Sequence, residues 1–343
     1  MERAGGAGPL QKILKISYYS TTTKKQKPFI DSKLRYNNCI MQVVKKLNKN
    51  LFEASSLALG VFDGVHIGHR SVIADAIQKA KKLDITSAVV TFSCHPKSVI
   101  TGISPEMITT IEDKLELFSE LGVDATVIID FNEEFAKMTA EEYLKNILTD
   151  CLNVKSLSVG YNHQFGSDRK GTGDFLKQYC AEHNIQLNII PPVKIDNHTV
   201  SSSVIRGFIT SGDVSSAHEF LGRPFKIKGK VIEGQHLGRK LGFPTANLQV
   251  NEDLILPLRG VYSGTAIIEE KVYKAVINVG RRPTIGDLQK DLIEAHILDF
   301  DRDIYGQVIE VAFLERIRDE KKFESLDDLK KQIEQDCGIV NMF

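Results

Sequence analysis

The sequence contains no tryptophan, no pair of cysteines in a CxxC motif and no long apolar run. An odd number of scattered cysteines argues against a secreted disulfide scaffold and fits a reducing compartment. No stretch approaches the roughly 20 apolar residues that a membrane-spanning helix needs. These absences predict a cytoplasmic protein without a membrane partner. The cysteines are Cys39, Cys94, Cys151, Cys180 and Cys337.

The chain has no excess of charge of either sign, with 44 basic and 44 acidic residues. A nucleic-acid-binding protein usually shows a basic excess or a basic patch, so no nucleic-acid partner is predicted. The pattern GxxxxGK[ST] is also absent. A P-loop therefore cannot hold phosphates in this protein.

The first 40 residues are poor in acidic side chains and rich in basic ones, with only Glu2 and Asp31 as acids. Such a leader is typical of an organelle transit peptide, or it is a disordered extension upstream of a true start at Met41. Either interpretation excludes residues 1–40 from the fold. The remaining length favours two domains, which we predict over residues 41–222 and 223–343.

The first predicted domain alternates apolar strands with helical patterns. This alternation is typical of a parallel sheet with helices on both faces, an α/β fold that binds ligands at the carboxyl ends of its strands. The predicted strands are Ser56–Phe62, Ser87–Phe92, Ala125–Asp130, Ser156–Gly160 and Gln186–Ile190. The predicted helices are Glu112–Leu121, Ala140–Leu152 and Asp174–His183.

Short strands punctuated by glycine and proline follow Leu221. This pattern predicts an antiparallel β-barrel that begins near Gly222-Arg223-Pro224 and ends with a helix at Leu326–Gln335. The predicted barrel strands are Phe225–Ile232, Gly264–Ile268, Lys274–Val279, Ile293–Leu298 and Val308–Phe313.

The most informative motif is GVFDGVHIGH, residues 60–69, in which His66 and His69 lie between a predicted strand and a helical pattern. The N-terminus of a helix attracts anions through its unpaired amides and its macrodipole. Gly68 allows a phosphate to approach the backbone, and the two imidazoles add hydrogen-bond donors. The motif therefore favours phosphate binding, although spacing alone also fits a surface pair or half of a zinc site.

Further motifs follow in order along the chain. Together with the first motif, they resemble the HxGH nucleotidyltransferases, and within them the bacterial bifunctional riboflavin kinase/FAD synthetases. The resemblance implies a Rossmann-like nucleotidyltransferase domain followed by a riboflavin-kinase-like antiparallel β-barrel with a terminal helix. The motifs are TFSCHP (91–96), SSSVIR (201–206), LGRPF (221–225), GRKLGFPTAN (238–247), GVYSG (260–264), NVGRRPT (278–284) and EAHILDF (294–300).

The resemblance implies that the first domain transfers AMP from ATP to FMN, forming FAD and pyrophosphate. His66, His69 and Arg206 match the residues that neutralise phosphate charge during this transfer. His95 has an equally good interpretation as a packed histidine beside Pro96, and the serines resemble an ordinary helix cap. The resemblance assigns further ATP or flavin contacts to Gly60, Phe62, Gly64, Ser202, Ser203 and His95.

The segment GYNHQFG, residues 160–166, departs from its usual family pattern, GxDFxFG. Asn162 stands where an acid is common, and His163 stands where an aromatic residue is common. Asn162 still offers hydrogen bonds, so we retain it as a nucleotide-binding candidate. A role that requires a negative charge is put in doubt.

The second domain resembles riboflavin kinase, which transfers the γ-phosphoryl group of ATP to the ribityl hydroxyl of riboflavin. Glu294 matches the carboxylate that accepts the hydroxyl proton. Thr245 and Asn247 match oxygen ligands of Mg²⁺, although PTAN alone is more typical of a β-turn. Further ATP or flavin contacts implied by the resemblance are Gly238, Gly242, Asn278 and Arg282.

The leading hypothesis is thus an enzyme that makes FMN from riboflavin and then FAD, using ATP and Mg²⁺ in both steps. The altered GYNHQFG segment leaves open a kinase-only enzyme. A flavin-binding regulatory module with decayed catalysis is a second alternative. A transferase acting on another phosphorylated alcohol is a third, but it does not account for the second domain.

Overall fold

The computed structural model describes residues 32–36, 39–167, 170–234, 237–281 and 291–342. The chain divides into two compact units, each of which is described by itself. Unit 1 comprises Met1–Val61, Ser71–Ile103 and Ile111–Ile190, and unit 2 comprises Phe62–Arg70, Ser104–Thr110 and Pro191–Phe343. Within the described ranges, no helix combines the length and apolar character needed to cross a membrane.

Unit 1 is built on a seven-stranded sheet in the order β1-β2-β5-β4-β3-β6-β7. The strands β2 to β7 pair in parallel, whereas β1 and β2 pair antiparallel at one edge. The strands are β1 (Ser32–Tyr36), β2 (Cys39–Val44), β3 (Ser55–Leu59), β4 (Thr86–Phe92), β5 (Ala125–Ile129), β6 (Val154–Gly160) and β7 (Gln186–Ile190).

Helices cover both faces of this sheet. Leu57 of β3 packs in a core with the π-helix Tyr143–Cys151 and with α6 (Gly173–Glu182). On the opposite face, Ser158 of β6 donates a hydrogen bond to Asp75 of α1 (Ile67–Leu83) at 2.7 Å. The remaining helices are α2 (Pro96–Thr101), α3 (Ile111–Glu120), α4 (Glu133–Ala136) and α5 (Ala140–Glu142), which continues into the π-helix.

The order of the strands places a switch point between β3 and β6. The chain moves from β3 to β4 and β5 on one side and then returns to β6 and β7 on the other. Leu59 and Val159 are paired across this junction, so Gly60 and Gly160 leave the sheet side by side. Open sheets of this kind bind ligands at the carboxyl ends of the strands at such a switch point.

Unit 2 contains a closed antiparallel barrel in the order β10-β11-β14-β13-β12-β15. Its strands are β10 (Phe225–Ile232), β11 (Thr245–Val250), β12 (Gly260–Ile268), β13 (Lys271–Arg281), β14 (Asp291–Ile297) and β15 (Val308–Arg318). The other elements of unit 2 are β8 (Lys194–Ile195), β9 (His198–Thr199), α7 (Ser202–Ser211), α8 (Val214–Leu221), α9 (Leu237–Leu241) and α10 (Leu326–Asn341).

The period of two along the barrel strands decides which side chains face the core. Ala246 and Leu248 of β11 pack inside the barrel, together with Ile293 and Ala295 of β14. The residues between them therefore lie on the outer surface of the barrel. The helix α10 covers another part of that surface, where its Val340 joins a small apolar cluster.

The fold class predicted from the sequence is confirmed, with a parallel α/β sheet and an antiparallel barrel that ends in a helix. The segment around Thr245 differs from the β-turn that its composition favours, because Thr245–Val250 forms β11 between two barrel strands. Residues 32–36 and 39–40 also form sheet, although the prediction excluded them from the fold. The rest of the predicted extension, residues 1–31 and 37–38, lies outside the described residues, and the predicted domain boundary at residue 222 stays a prediction.

Candidate functional site

The first candidate site is the tight turn that leads from β3 into α1. Three of its residues have left-handed backbone angles, with φ of 53° at Phe62, 81° at Gly64 and 39° at Val65. Such angles are unfavourable for residues with a Cβ and persist only where the surroundings hold them. The turn therefore contains stored strain immediately before His66.

His66 caps the helix that follows. Its Nδ1 accepts a hydrogen bond from the His69 amide at 3.2 Å, and its carbonyl accepts one from the Arg70 amide at 2.9 Å. Because Nδ1 is an acceptor, the neutral ring carries its hydrogen on Nε2. Burial, assisted by the positive charge of Arg223, lowers the pKa of His66 to about 4. His66 is thus a neutral Nε2–H donor at pH 7.

His69 lies against His66 with the two imidazole rings stacked, their centroids 3.5 Å apart and their planes inclined by 16°. The edge of Phe62 packs against His69 at a centroid distance of 5.2 Å. The stacked pair therefore places two imidazoles side by side at the start of α1.

The buried carboxylate of Asp63 anchors the turn. It accepts hydrogen bonds from the amides of Ile108 at 2.9 Å and Thr109 at 3.1 Å, and from Arg206 at 2.6 Å. Asp63 is 2% exposed and the Arg206 side chain 18% exposed, so solvent screens this ion pair only weakly. The pair ties the HxGH turn to α7.

The N-terminus of α7 carries the other predicted residues of this site. Ser201 is the N-cap, as a serine-rich helix start predicts, and its hydroxyl accepts from the Val204 amide. Ser202 donates to the Asp63 carbonyl at 2.9 Å, whereas Ser203 is exposed. Arg206 also donates through Nε to the Glu106 carbonyl at 2.7 Å. Two of the three nitrogens of the Arg206 guanidinium are thus used, one by Asp63 in the turn and one by the Glu106 carbonyl.

The loop after β6 lies at the switch point of the sheet in unit 1. Gly160 ends β6, and Asn162 is exposed. His163 packs near Phe165 with the ring centroids 5.5 Å apart, and burial lowers the pKa of His163 to about 4. Gly166 has φ of 81°, and a Cβ there would lie 2.6 Å from the Ala140 amide nitrogen. The glycine is therefore required by this close approach.

His95 serves a structural purpose in the described structure. It is the N-cap of α2, and its Nδ1 accepts from the Lys97 amide at 3.2 Å. The neighbouring Cys94 is an exposed free thiol. This geometry supports the interpretation of His95 as a packed histidine held beside Pro96, and its role in binding nucleotide stays a prediction.

The second candidate site lies on the outer face of the barrel, where three polar side chains occur on adjacent strands. Asn247 of β11 is paired directly with Glu294 of β14, and Glu294 is paired with Asn278 of β13. Opposite residues in antiparallel strands have Cβ atoms about 5 Å apart. The barrel thus assembles an amide, a carboxylate and an amide into one row. Three sequence-predicted residues form this row.

The GRKLGFPTAN segment leads into this row through α9 and a tight turn. A Cβ at Gly238 would lie 2.3 Å from the Phe243 carbonyl oxygen, and Gly242 has φ of 90°. Thr245 is paired with His296, whose ring hydrogen-bonds to the Pro244 carbonyl at 2.8 Å. His296 thereby fixes the turn that precedes Thr245.

The oxygen atoms of the second site fit Mg²⁺. The Asn247 side-chain oxygen is buried and makes no hydrogen bond to the described part of the chain. A buried carbonyl without a partner is unfavourable, and a hard cation satisfies it. Within the same described ranges, no cluster of three His, Cys, Asp or Glu side chains forms an alternative metal site. Arg282 lies outside the described residues.

Three residues of these sites were not predicted from the sequence. Asp63 lies inside the first motif, and its pairing with Arg206 becomes visible only in the fold. His296 lies two residues after Glu294, so the period of two along a strand could have predicted that both lie on the same face of β14. Arg223 was assigned to a domain boundary, and no local pattern relates it to a turn 159 residues away.

Two family models match successive parts of the chain. Residues 48–204 match the model described as FAD synthetase, and residues 221–343 match the model described as riboflavin kinase. The first match contains the HxGH turn, and the second contains the row of Asn247, Glu294 and Asn278.

Curated relatives match nearly the whole chain. A Haemophilus influenzae protein named bifunctional riboflavin kinase/FMN adenylyltransferase is 35% identical over 307 residues, covering 88% of this chain and 99% of the relative. A Bacillus subtilis protein of the same name is 36% identical over 287 residues, covering 82% of this chain and 90% of the relative.

A solved structure also shares the fold. It is described as a macrolide-efflux protein from Streptococcus pneumoniae and matches with a TM-score of 0.80 and 32% identity. The match covers 88% of this chain and 99% of the solved chain. Both the parallel sheet and the barrel are therefore present together in another protein.

Proposed function

The chain belongs to the family of bifunctional riboflavin kinase/FMN adenylyltransferases, and from this premise we propose how its residues divide the two reactions. The enzyme phosphorylates riboflavin to FMN and then adenylylates FMN to FAD, with ATP as the co-substrate of both steps. The observation that supports the division is that each half of the chain contains one phosphate-directed cluster of its own. These are the HxGH turn and the row on the barrel.

Adenylyl transfer takes place at the HxGH turn. An FMN phosphate oxygen attacks the α-phosphorus of ATP, the bond to the bridging oxygen breaks and pyrophosphate leaves. The nucleophile is already an anion, so the site has to align the reactants and neutralise developing charge. His66 donates its Nε2–H to the phosphates, and His69 contributes the second imidazole. The exposed Ser203 and the start of α7 bind further phosphate oxygens.

Phosphoryl transfer takes place on the barrel row. Glu294 accepts the proton of the ribityl hydroxyl as its oxygen attacks the γ-phosphorus, and ADP leaves. Thr245 and Asn247 would hold Mg²⁺, which would supply positive charge against the ATP phosphates. Asn278, opposite Glu294, orients the carboxylate or the substrate hydroxyl. Gly238 in α9, Gly242 in the turn after it and Arg282 are assigned to contacts with ATP or flavin by the family resemblance.

We further infer that the enzyme works in the cytoplasm, on free riboflavin, FMN and ATP. Cys94, Cys151, Cys180 and Cys337 are free thiols, which favours a reducing compartment. The balanced charge supports small-molecule substrates over nucleic acid.

A two-product assay with matched variants tests this division. Purified chain incubated with riboflavin, ATP and Mg²⁺ should produce FMN and then FAD. Glu294→Gln should lower riboflavin phosphorylation by about 100-fold or more while FAD synthesis from supplied FMN continues. His66→Ala combined with His69→Ala should have the reverse effect, by about 1000-fold.

Glu315→Gln provides the control, because Glu315 is an exposed glutamate on a different strand of the same barrel. It should leave both rates unchanged. Loss of both activities in a folded Glu294→Gln protein would contradict the division, and FMN formation without any FAD would reduce the function to that of a kinase.

A further inference from the structure

Three consecutive residues, Leu221, Gly222 and Arg223, pack on the HxGH turn. A Cβ at Gly64 would lie 3.3 Å from a Leu221 methyl group. Gly222 has φ of 69°, and a Cβ there would lie 2.7 Å from an Ile67 methyl group. The tripeptide therefore follows the turn closely, and the LGRPF motif has a structural role beyond leading into the barrel.

The Arg223 guanidinium makes the polar part of this contact. Its Nη2 donates to the Gly64 carbonyl at 2.7 Å, and its Nη1 donates to the carbonyls of Val65 at 3.3 Å and Leu221 at 3.4 Å. Arginine suits this geometry because its planar fork carries several fixed donors. Through these donors, the turn is joined to the chain segment that leads through Pro224 into β10.

The carbonyls that Arg223 holds belong to the strained part of the turn. Gly64 and Val65 both have positive φ, and His66 follows them directly. A small rotation of this backbone would move the His66 imidazole and break its cap on α1. A displacement of about 1 Å at reacting groups typically lowers a rate by about 100-fold.

We propose that Arg223 is a positioning residue for adenylyl transfer, which orients His66 by holding the carbonyls of Gly64 and Val65. This inference rests on the proposed function of the HxGH turn. It assigns to the start of the kinase-like segment a residue that serves the other reaction. The positive charge of Arg223 also disfavours protonation of His66, in agreement with the low pKa of that imidazole.

Steady-state kinetics of the full chain test the proposal through Arg223→Gln and Arg223→Lys. In Arg223→Gln, kcat for FAD synthesis from supplied FMN should fall by about 100-fold, with KM for FMN and ATP changed by less than about threefold. Arg223→Lys retains the charge and a donor, and should recover part of the lost kcat. The riboflavin kinase rate should stay unchanged in both variants.

Arg302→Gln is the matched control, because Arg302 is an arginine of unit 2 whose exposed side chain pairs with Glu269. It should change neither reaction. A rise in KM for ATP at constant kcat would overturn the proposal and make Arg223 a substrate ligand. An unchanged kcat for FAD synthesis in Arg223→Gln would also overturn it. So would a loss of the riboflavin kinase rate as large as the loss of FAD synthesis in both Arg223 variants. Absence of FAD from the unsubstituted chain would instead refute the proposed function itself.

Discussion

Single residues in this protein show where stability and chemistry conflict. Asn247 is 5% exposed, and its side-chain oxygen has no hydrogen-bond partner within the described structure. A buried position of this kind on the outer face of the barrel would be better filled by an apolar side chain if stability alone mattered. The retained amide is therefore best explained by a ligand that approaches from outside the chain.

Replacement of Asn247 by leucine tests this explanation. Asn247→Leu should lower riboflavin phosphorylation by about 100-fold, because the oxygen for Mg²⁺ is removed. Its thermal unfolding midpoint should be equal to or higher than that of the parent chain, since a buried oxygen without a partner is also removed. Kinase assays at several Mg²⁺ concentrations and a thermal unfolding scan measure the two effects.

Gln249→Leu is the control for Asn247→Leu, because Gln249 lies on the same outward face of β11 but is exposed. This control should retain the kinase rate. A kinase rate that survives in Asn247→Leu would contradict the metal assignment, and a large drop in stability would contradict the interpretation of the unpaired oxygen.

Among the elements of the fold, the turn between β3 and α1 depends on the loop that contains Ile108 and Thr109, and on α7. Asp63 links both of them through one carboxylate. Inside the turn, the Val65 amide donates a hydrogen bond to the Phe62 carbonyl at 3.1 Å, and these hydrogen bonds to the Asp63 carboxylate come from outside the turn. The geometry of the HxGH turn therefore depends on these two segments and on residues 221–223, which also contact it.

Asp63→Asn should destabilise this arrangement. The substitution leaves the largely buried Arg206 without its counter-charge, and removing one partner of a buried pair typically costs about 3 kcal/mol or more. FAD synthesis should fall as well, because the turn is no longer anchored. Denaturant unfolding and the FAD assay measure the two losses.

The pair of Glu269 and Arg302 provides the comparison for Asp63→Asn. These side chains are 59% and 48% exposed, so Glu269→Gln should cost less than about 1 kcal/mol. Equal losses of stability in the two variants would show that burial does not decide the strength of the Asp63 pair.

Local sequence patterns predicted the strands whose own composition is typical of a strand. They missed the strand and the contact that depend on residues distant in the sequence. The strands Gln186–Ile190 and Phe225–Ile232 were predicted with the bounds that the structure has, because strand composition and flanking residues agree there. Strand β11 begins with residues typical of a turn, and its pairing with β10 and β14 overrides that preference. The contact of Arg223 with Gly64 joins residues 159 positions apart, so no local pattern predicts it.

For the whole molecule, the division into compact units differs from the division into family matches. Unit 2 contains the HxGH turn, which lies in the first family match, as well as the barrel, which lies in the second. A change near the start of the barrel, such as the substitution of Arg223, can therefore affect a reaction that the first family model describes.

The stability of the protein should depend on pH because the buried His66 and the partly buried His163 both have lowered pKa values. Burial lowers the pKa of both His66 and His163 from 6.5 to about 4. In the unfolded chain these histidines become protonated as the pH falls below about 6.5, whereas in the folded chain they stay neutral until about pH 4. The stabilisation is therefore complete above pH 6.5 and is lost progressively as the pH falls toward 4, by up to about 3 kcal/mol for each histidine.

His163→Phe separates one of these contributions from the other. Phenylalanine fills the same aromatic position beside Phe165 without a titrating group, so the difference in unfolding free energy between pH 8 and pH 5 should shrink by about 2 kcal/mol. His183→Phe is the comparison, because His183 is exposed and also contacts an aromatic ring, that of Tyr179. Denaturant unfolding of the chains at both pH values measures the effect. If His163→Phe left the pH dependence unchanged, the imidazole would already be as accessible to protons in the folded protein as in the unfolded chain, and its burial could not be the source of acid sensitivity.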